Sequence, residues 1–506
     1  MIESLKMLTM GLANLADPYT LFMCGFGGVM GVIVGALPGL GATAGCSLLL
    51  PITYSMNPTV GLVTLASVYY GDMFGAGISA ILINIPGDSH ATVTALDGYA
   101  MAKNGQPGKA LFVCFFSSFV GGILGALLLA LMGNTLTQVG LRFGAPEMAM
   151  VILVAMTSIG WILGEVPYKG LMATGLGLLL ATVGMEPLTS QPRFLFGQIA
   201  LVQGIPFIPA CIGLFGLSSA IQITADGIMR KADVSSTRIK YKDCIPTKGE
   251  FKRMVPVHLR GTAEGFFIGM LPGSGATIAT FFAYLIEKRV NKRGKEMGTG
   301  VAEGVAIAES ADNAAAIGSF GPMFALGIPG SSTSAVLLGG LLMWGLQPGP
   351  LFMTNHSDVA WTVIASMFIG CIIVATLCIA ALPLLSSIVK VSNNVLIPIV
   401  ISLSIIGSYA VNQSIYDVYI MLIAGVVGYL FLEAGVPQSP LVLSLLLGYD
   451  LEKYFRQGII MGGGKWSVFF TRGLSLGIAI FGALFIIVPI VLNIIKKRRA
   501  KKIKAE

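Results

Sequence analysis

Apolar runs close to the length of a membrane span recur from one end of this sequence to the other. They restrict the fold more than any other feature. The clearest are 109–132, 148–164, 170–185, 199–223, 361–388, 395–411, 418–432 and 469–495. A bilayer core takes roughly 20 helical residues to cross. No hydrophilic stripe runs along these segments, which excludes the surface helices of a soluble all-helical protein. Composition agrees. Charged residues make up 11% of the 506, against about a quarter in soluble domains, so lipid must cover much of the surface. The expectation is an all-α, polytopic membrane protein with about ten to twelve membrane elements.

The net charge of +8 is concentrated in two places. Residues 496–504 hold seven Lys or Arg, and 230–260 hold nine against three acids (Asp233, Asp243 and Glu250). In a membrane protein such clusters report orientation, so 230–260 and the C-terminus are expected on the cytoplasmic side. A basic RNA-binding tail is the weaker alternative, and nucleic acid is not an expected partner. The seven cysteines show no CxxC spacing and most lie within apolar runs, as small core residues do. The N-terminus lacks a basic region followed by a cleavable apolar stretch, so no removed signal peptide is expected.

The chain uses one motif set twice. Leu37-Pro38-Gly39-Leu40-Gly41-Ala42-Thr43 is matched by Leu271-Pro272-Gly273-Ser274-Gly275-Ala276-Thr277, 234 positions on. Asn84-Ile85-Pro86-Gly87-Asp88-Ser89 is echoed by Gly327-Ile328-Pro329-Gly330-Ser331-Ser332, 243 positions on. The nine-residue difference fits an insertion at the basic stretch 288–295. Two homologous membrane repeats, 1–229 and 261–506, are thus joined by the basic linker 230–260. Between Lys6 and Lys103 there is no Lys or Arg, whereas 261–287 is basic on both flanks. If both flanks are cytoplasmic, that segment enters and returns as a re-entrant hairpin with Pro272-Gly273 near its tip. Its first-half partner then enters from the opposite face, the inverted repeat of many secondary transporters. A crossing helix kinked at the proline is the competing geometry.

Within lipid, non-helical backbone survives only where protein or a water-filled cavity shelters it. Four Pro-Gly breaks placed symmetrically therefore mark the expected site. A helix restarting after a break points N–H groups outward with positive partial charge, which suits a carboxylate. Liberated carbonyls and hydroxyls suit Na⁺. Substrate contacts are expected at Gly39, Gly41, Thr43, Asn84, Gly87 and Ser89, and in the second half at Gly273, Ser274, Gly275, Thr277, Gly330, Ser331 and Ser332. Charged groups in apolar stretches are costly and read as functional. Asp72 precedes the second break, and Glu309, Asp312 and Asn313 stand near the equivalent place in the second half. With Pro86 and Pro329 they are the candidates for coupling to an ion, Na⁺ or H⁺. A position at a helix end near water is the bland alternative for the carboxylates. His90, which follows a break, is a weaker candidate. His258 falls in the basic loop and His356 in a polar turn, neither suggesting catalysis.

An intramembrane enzyme is not expected. The sequence has no HExxH zinc pair, no GxSG serine motif and no GxGD motif. Gly473-Leu474-Ser475-Leu476-Gly477 matches a nucleophile elbow by letter, but it lies inside a long apolar run and reads as close helix packing. A channel fits less well, because selectivity filters usually need several subunits around one axis.

These residues resemble the large membrane subunit of tripartite tricarboxylate transporters. The matching stretches are 35–43, 68–98, 144–148, 182–187 with 193–197, and 212–215, then 269–288, 300–329 and 345–350. The resemblance implies a bacterial inner-membrane importer of tricarboxylates such as citrate, or related carboxylates. It implies cation-driven symport, commonly with Na⁺, and no other cofactor. The implied partners are a small four-helix membrane subunit and a periplasmic solute-binding protein, beside the carboxylate substrate and membrane lipid; a homodimer is left open. The lack of a GxxxxGK[ST] phosphate loop agrees with transport without ATP. Family members often read Glu-x-Ala-Asn-Asn where this chain has Glu309-Ser310-Ala311-Asp312-Asn313, and Gly-Gly-Ser where it has Gly75-Ala76-Gly77. Asp72 and Asp312 do not carry over as family residues, so their roles rest on burial alone. The expected mechanism holds substrate between the breaks while one part of each half moves against a fixed scaffold.

Overall fold

The computed structural model describes residues 2–37, 40–162, 167–225, 241–272, 275–384 and 393–484. Gly39, Gly273, Ser274, residues 230–240 of the basic linker and the basic tail 496–504 lie outside them. The described chain is almost entirely helical and divides into two compact units. One comprises 1–140 and 206–434, the other 141–205 and 435–506.

The first unit opens with α1 (Ile2–Leu15), α2 (Pro18–Ala36), α3 (Gly41–Tyr54), α4 (Pro58–Ile83), α5 (Thr92–Lys103) and α6 (Pro107–Gly140). The second unit then contributes α7 (Ala145–Ile162) and α8 (Pro167–Ala181). Back in the first unit, α9 (Phe207–Cys211) and α10 (Ser218–Ala225) are joined by a π-helical segment. Next come α11 (Lys248–Gly269), α12 (Gly275–Val290), α13 (Ala302–Gly318), α14 (Phe320–Leu326), α15 (Ser332–Met343), α16 (Phe352–Asn355) and α17 (Ser357–Ala380). Helices Asn393–Asn412 and Ile415–Glu433 complete this unit. Among the described residues six helices are long and apolar enough to cross a membrane, and four shorter apolar ones accompany them. Several further elements are short because the breaks interrupt them. The chain is an all-α polytopic membrane protein.

The duplication is readable in the packing. On α2, Gly27, Gly31 and Gly35 face the carbonyls of Thr64, Val68 and Asp72 of α4. On α11, Gly261, Gly265 and Gly269 face those of Ile307, Ala311 and Ala315 of α13. The glycines are 234 positions apart pair by pair, and the carbonyls 243. A methyl at Gly31 would sit 2.2 Å from the Val68 oxygen, and one at Gly265 2.1 Å from the Ala311 oxygen. Small residues every fourth position let two membrane helices bring their backbones together, where apolar side chains in lipid supply little drive. The nine extra residues fall between α12 and α13. This register corrects one expectation. Asp72 stands at the position of Ala315, Asp312 at that of Tyr69 and Glu309 at that of Ala66, so the carboxylates are not repeat equivalents.

Local signals set the helix ends. Pro58 opens α4 behind Asn57, whose side chain accepts from Thr59 N–H. Thr247 and Glu250 form a capping box for α11, as Ser331 and Ser334 do for α15. The basic stretch before the second half is therefore helical from Lys248 onward, and His258 is a buried residue of α11, not of a loop. Burial opposes charge on Glu250, yet the Lys109 ammonium and its bonds from Thr247 hold that carboxyl below its usual range.

Helices α11 and α12 form a hairpin. Arg253, near the start of α11, and Arg293, just past α12, both pair with buried Glu303, at 2.7 and 3.2 Å. Arg260 of α11 grips Glu287 of α12 with two bonds of 2.7 Å.

In the second unit, helix Ser439–Met461 packs against α7 and α8. Arg193 binds Glu452 through two 2.9 Å bonds, and Arg472 pairs with buried Glu147 at 2.6 Å. The run 170–185 leaves the helix at Ala181, and Met185 pairs in a two-residue strand with Pro192. The run 199–223 begins as a short 3₁₀ turn, and its helix starts at Phe207. Gly473 and Gly477 lie in a helix, and a methyl at either meets nothing within 4 Å among the described residues. All seven cysteines are buried, and none forms a disulfide.

These contacts carry two expected outcomes. Cysteines placed at Lys252 and Lys292, both exposed, are expected to react with a membrane-impermeant maleimide from the same side; labelling from opposite sides would refute the hairpin. Gly265→Ala is expected to cost about 1–3 kcal/mol through overpacking, read as a lower thermal midpoint in detergent.

Candidate substrate and ion site

The four breaks are built alike in pairs. Gly41 and Gly275, which open α3 and α12, have φ of 62° and 58°, a conformation that suits glycine. Asn84 and Gly327, 243 positions apart, end α4 and α14 in the left-handed region at 56° and 69°. After each, a glycine drops onto the preceding hairpin. A methyl at Gly87 would lie 1.7 Å from the Gly35 oxygen, and one at Gly330 2.5 Å from the Gly269 oxygen.

Past these breaks the chain crosses to the other half. Helix α15 packs on α3 and α4, while α5 packs on α12 and α13. The Thr43 and Thr333 hydroxyls share a 2.9 Å bond, as do those of Ser89 and Thr277. Tyr69 of α4 shares another of 2.9 Å with Ser331. So Thr43, Ser89, Thr277 and Ser331 meet partners from the opposite repeat. Asn84 is exposed at its helix end, Pro86 partly buried and Pro329 buried; Ser332 opens α15. One expectation changes. The N-terminus of α3 is already occupied, since Ala42 N–H donates to Asp88 at 3.1 Å. A carboxylate does bind there, and it is the protein's own.

The charged residues gather around His90. Its Nε2 is 3.2 Å from Asp72 and 3.9 Å from Asp88, and its Nδ1 is 2.8 Å from Asp312. The Nδ1 approach is out of line for a hydrogen bond, so charge holds it more than direction does. Asp72, His90 and Asp312 are almost wholly buried, which removes the helix-end-near-water reading for the two carboxylates. Glu309 is answered by hydroxyls from first-half helices, Thr94 at 2.6 Å and Ser118 at 2.7 Å. The Asn313 amide donates back to the Glu309 carbonyl on its own helix.

Sequence reasoning undervalued His90 and passed over Tyr69, Thr94, Ser118 and Thr333 as site residues. A histidine directly after a break was the available signal. The hydroxyl partners had none, because their role depends on which helix crosses to which half.

An internally duplicated helical membrane protein with a polar, broken-helix centre is built as a transporter subunit. The chain belongs to the tripartite tricarboxylate transporter TctA family, which matches residues 21–443. Membership implies a three-part assembly with a small membrane subunit and a periplasmic binding protein. A relative from Agrobacterium vitis, an uncharacterised 52.8 kDa protein of the TAR-I ttuC′ 3′ region, is 36% identical over 499 residues, 98% of each chain. A second from that organism, in the TAR-II ttuC′ 3′ region, is 34% identical over 234 residues, 46% of this chain and 97% of its own. No solved structure matches.

The two halves are also strapped together by Asp97 of α5. Its Oδ1 accepts from the N–H groups of Gly298, Gly300 and Val301, each at 2.9 Å, and its Oδ2 from the Tyr284 hydroxyl at 2.7 Å. Asp97→Ala strands these donors and is expected to cost about 3 kcal/mol or more, at roughly 1–3 per unsatisfied buried group. Asp97→Asn keeps one acceptor oxygen and is expected to cost less. Thermal melts of the two variants check the order.

Proposed function

We propose that this chain is the translocating subunit of a receptor-dependent, cation-coupled importer of tricarboxylates or related carboxylates, working by alternating access in a bacterial inner membrane. The observation that carries the reading is the meeting of hydroxyls from opposite repeats at the four breaks, Thr43 with Thr333 and Ser89 with Thr277. Neutral hydroxyls replace part of an anion's hydration without adding a fixed charge. Each is bonded to a partner from the other half, so a carboxylate that takes over these bonds touches both repeats at once. Helix starts at Gly275 and Ser332 lie beside them and favour negative charge.

Coupling follows from the charge of the centre. Asp72, Asp88 and Asp312 crowd around one imidazole with Glu309 a turn from Asp312, and none of the four pairs with a Lys or Arg among the described residues. An anionic substrate arriving without a cation adds to that excess in a medium where charges interact strongly. Import therefore requires a co-transported cation, Na⁺ or H⁺. The receptor delivers the carboxylate from the periplasm, the small subunit completes the membrane part, and the segment before α11 and the C-terminus face the cytoplasm.

The test is uptake into liposomes carrying both membrane subunits, with receptor outside, after thermal-shift screening of the receptor has chosen the carboxylate. Concentrative uptake is expected with a Na⁺ or proton gradient. Its persistence with neither would overturn the coupling. Thr43→Val and Thr277→Val are each expected to raise KM about fivefold, the equivalent of one hydrogen bond near 1 kcal/mol.

A further inference from the structure

The His90 ring has a carboxylate against each nitrogen, Asp312 at 2.8 Å from Nδ1 and Asp72 at 3.2 Å from Nε2, with Asp88 at 3.9 Å. A neutral imidazole carries one N–H and one lone pair. Whichever nitrogen lacks the proton then lies within 3.2 Å of a carboxylate oxygen that is itself only an acceptor. Two such contacts close without repulsion when a second proton is present. We propose that His90 is the proton-carrying site of this chain, held as an imidazolium between Asp72, Asp312 and Asp88, and that import moves one proton with the carboxylate. This rests on the reading of the chain as an importer.

Every element around the ring is consistent with a proton at this point. Helix α4 brings Asp72 and the Tyr69 hydroxyl, the break brings Asp88, and α13 brings Asp312 with Glu309 one turn away. Helix α12 adds the Thr280 hydroxyl, which donates to the His90 carbonyl at 3.4 Å. Helix α5 adds Thr94 on Glu309. The Cys114 thiol of α6 lies beside Glu309. No Lys or Arg among the described residues pairs with these four carboxylates, so the imidazolium is the cation that compensates them.

The ring can also release its proton. Asp72 Oδ1 and Asp312 Oδ1 are buried and accept no hydrogen bond among the described residues. A proton leaving a ring nitrogen passes to the carboxylate beside it, Asp72 or Asp312, giving a neutral imidazole and a neutral acid, and from there to water when the site opens. Asp88 links this step to the substrate position. Its Oδ2 caps α3 through Ala42 N–H, and the adjoining Ser89 shares a bond with Thr277. Loss of the proton makes the centre one charge more negative beside those hydroxyls, so the anion leaves as the proton leaves. The repeat equivalent of His90 is Thr333, which cannot carry charge, so there is one such site per chain.

The chain has three histidines, which makes ring-¹⁵N-labelled histidine readable by solid-state NMR of the protein in liposomes. The expected result is one doubly protonated ring at neutral pH that loses its proton on alkalinisation and is absent from His90→Gln. The outcome is expected to be the same in sodium and in choline chloride. A His90 ring neutral at every pH would overturn the proposal. Should His90→Gln not fold, Asp312→Asn keeps all three signals and is expected to lower the pH at which the His90 ring deprotonates. An unchanged titration there would overturn the sandwich.

Uptake of citrate, succinate and benzoate into liposomes with both membrane subunits and receptor separates the remaining cases. One proton per carboxylate predicts about a tenfold loss of apparent affinity per pH unit above the ring's titration. Uptake that follows a Na⁺ gradient and ignores pH keeps the importer and overturns the proton site. A titrating His90 in a complex that moves none of the three on any gradient removes the import reading and leaves the imidazolium supported by the NMR result.

Discussion

Backbone-to-backbone packing of α2 on α4, and of α11 on α13, is the contact on which the rest of the centre depends. Glycines at every fourth position let the helices approach until carbonyls replace side chains at the interface. At that distance a shift by one residue would drive a side chain into a carbonyl, so the register has little freedom. It places Gly35 under Gly87 and Gly269 under Gly330, and so fixes where the breaks fall. Every hydroxyl that meets across the halves depends on that placement.

On this symmetric frame the charges are arranged asymmetrically. The glycine ladders and left-handed residues repeat at constant offsets, whereas Asp72, His90 and Asp312 correspond to Ala315, Thr333 and Tyr69. Duplication supplied two equal sets of helix ends and hydroxyls. Asp72, Asp88, His90 and Asp312 break that symmetry as one cluster.

Much of this was legible in residue order. The breaks, their pairing and the nine-residue insertion all came from matching short motifs, since proline and glycine act on their own backbone and need no partner to do so. The carboxylates were legible as costly residues in apolar stretches, but not as one group. Glu309 and Asp312 lie one turn apart on α13, yet one is answered by hydroxyls and the other by His90. Helical spacing puts them on adjoining faces and says nothing of what packs there. His258, read as a loop residue from the charges around it, belongs to a capped helix, because a capping box overrides local polarity.

By itself, then, the sequence determined the membrane class, the duplication, the positions where helices stop and the polar residues at each stop. These depend on hydropathy and on local backbone chemistry. The tertiary structure decided that α5 and α15 each cross to the opposite repeat, that Thr43 finds Thr333 and Ser89 finds Thr277, and that three carboxylates from separate segments close on one imidazole. The two hydroxyl pairings join residues 290 and 188 positions apart. They are settled by how closely whole helices can pack, a property of two surfaces that no single stretch of chain contains.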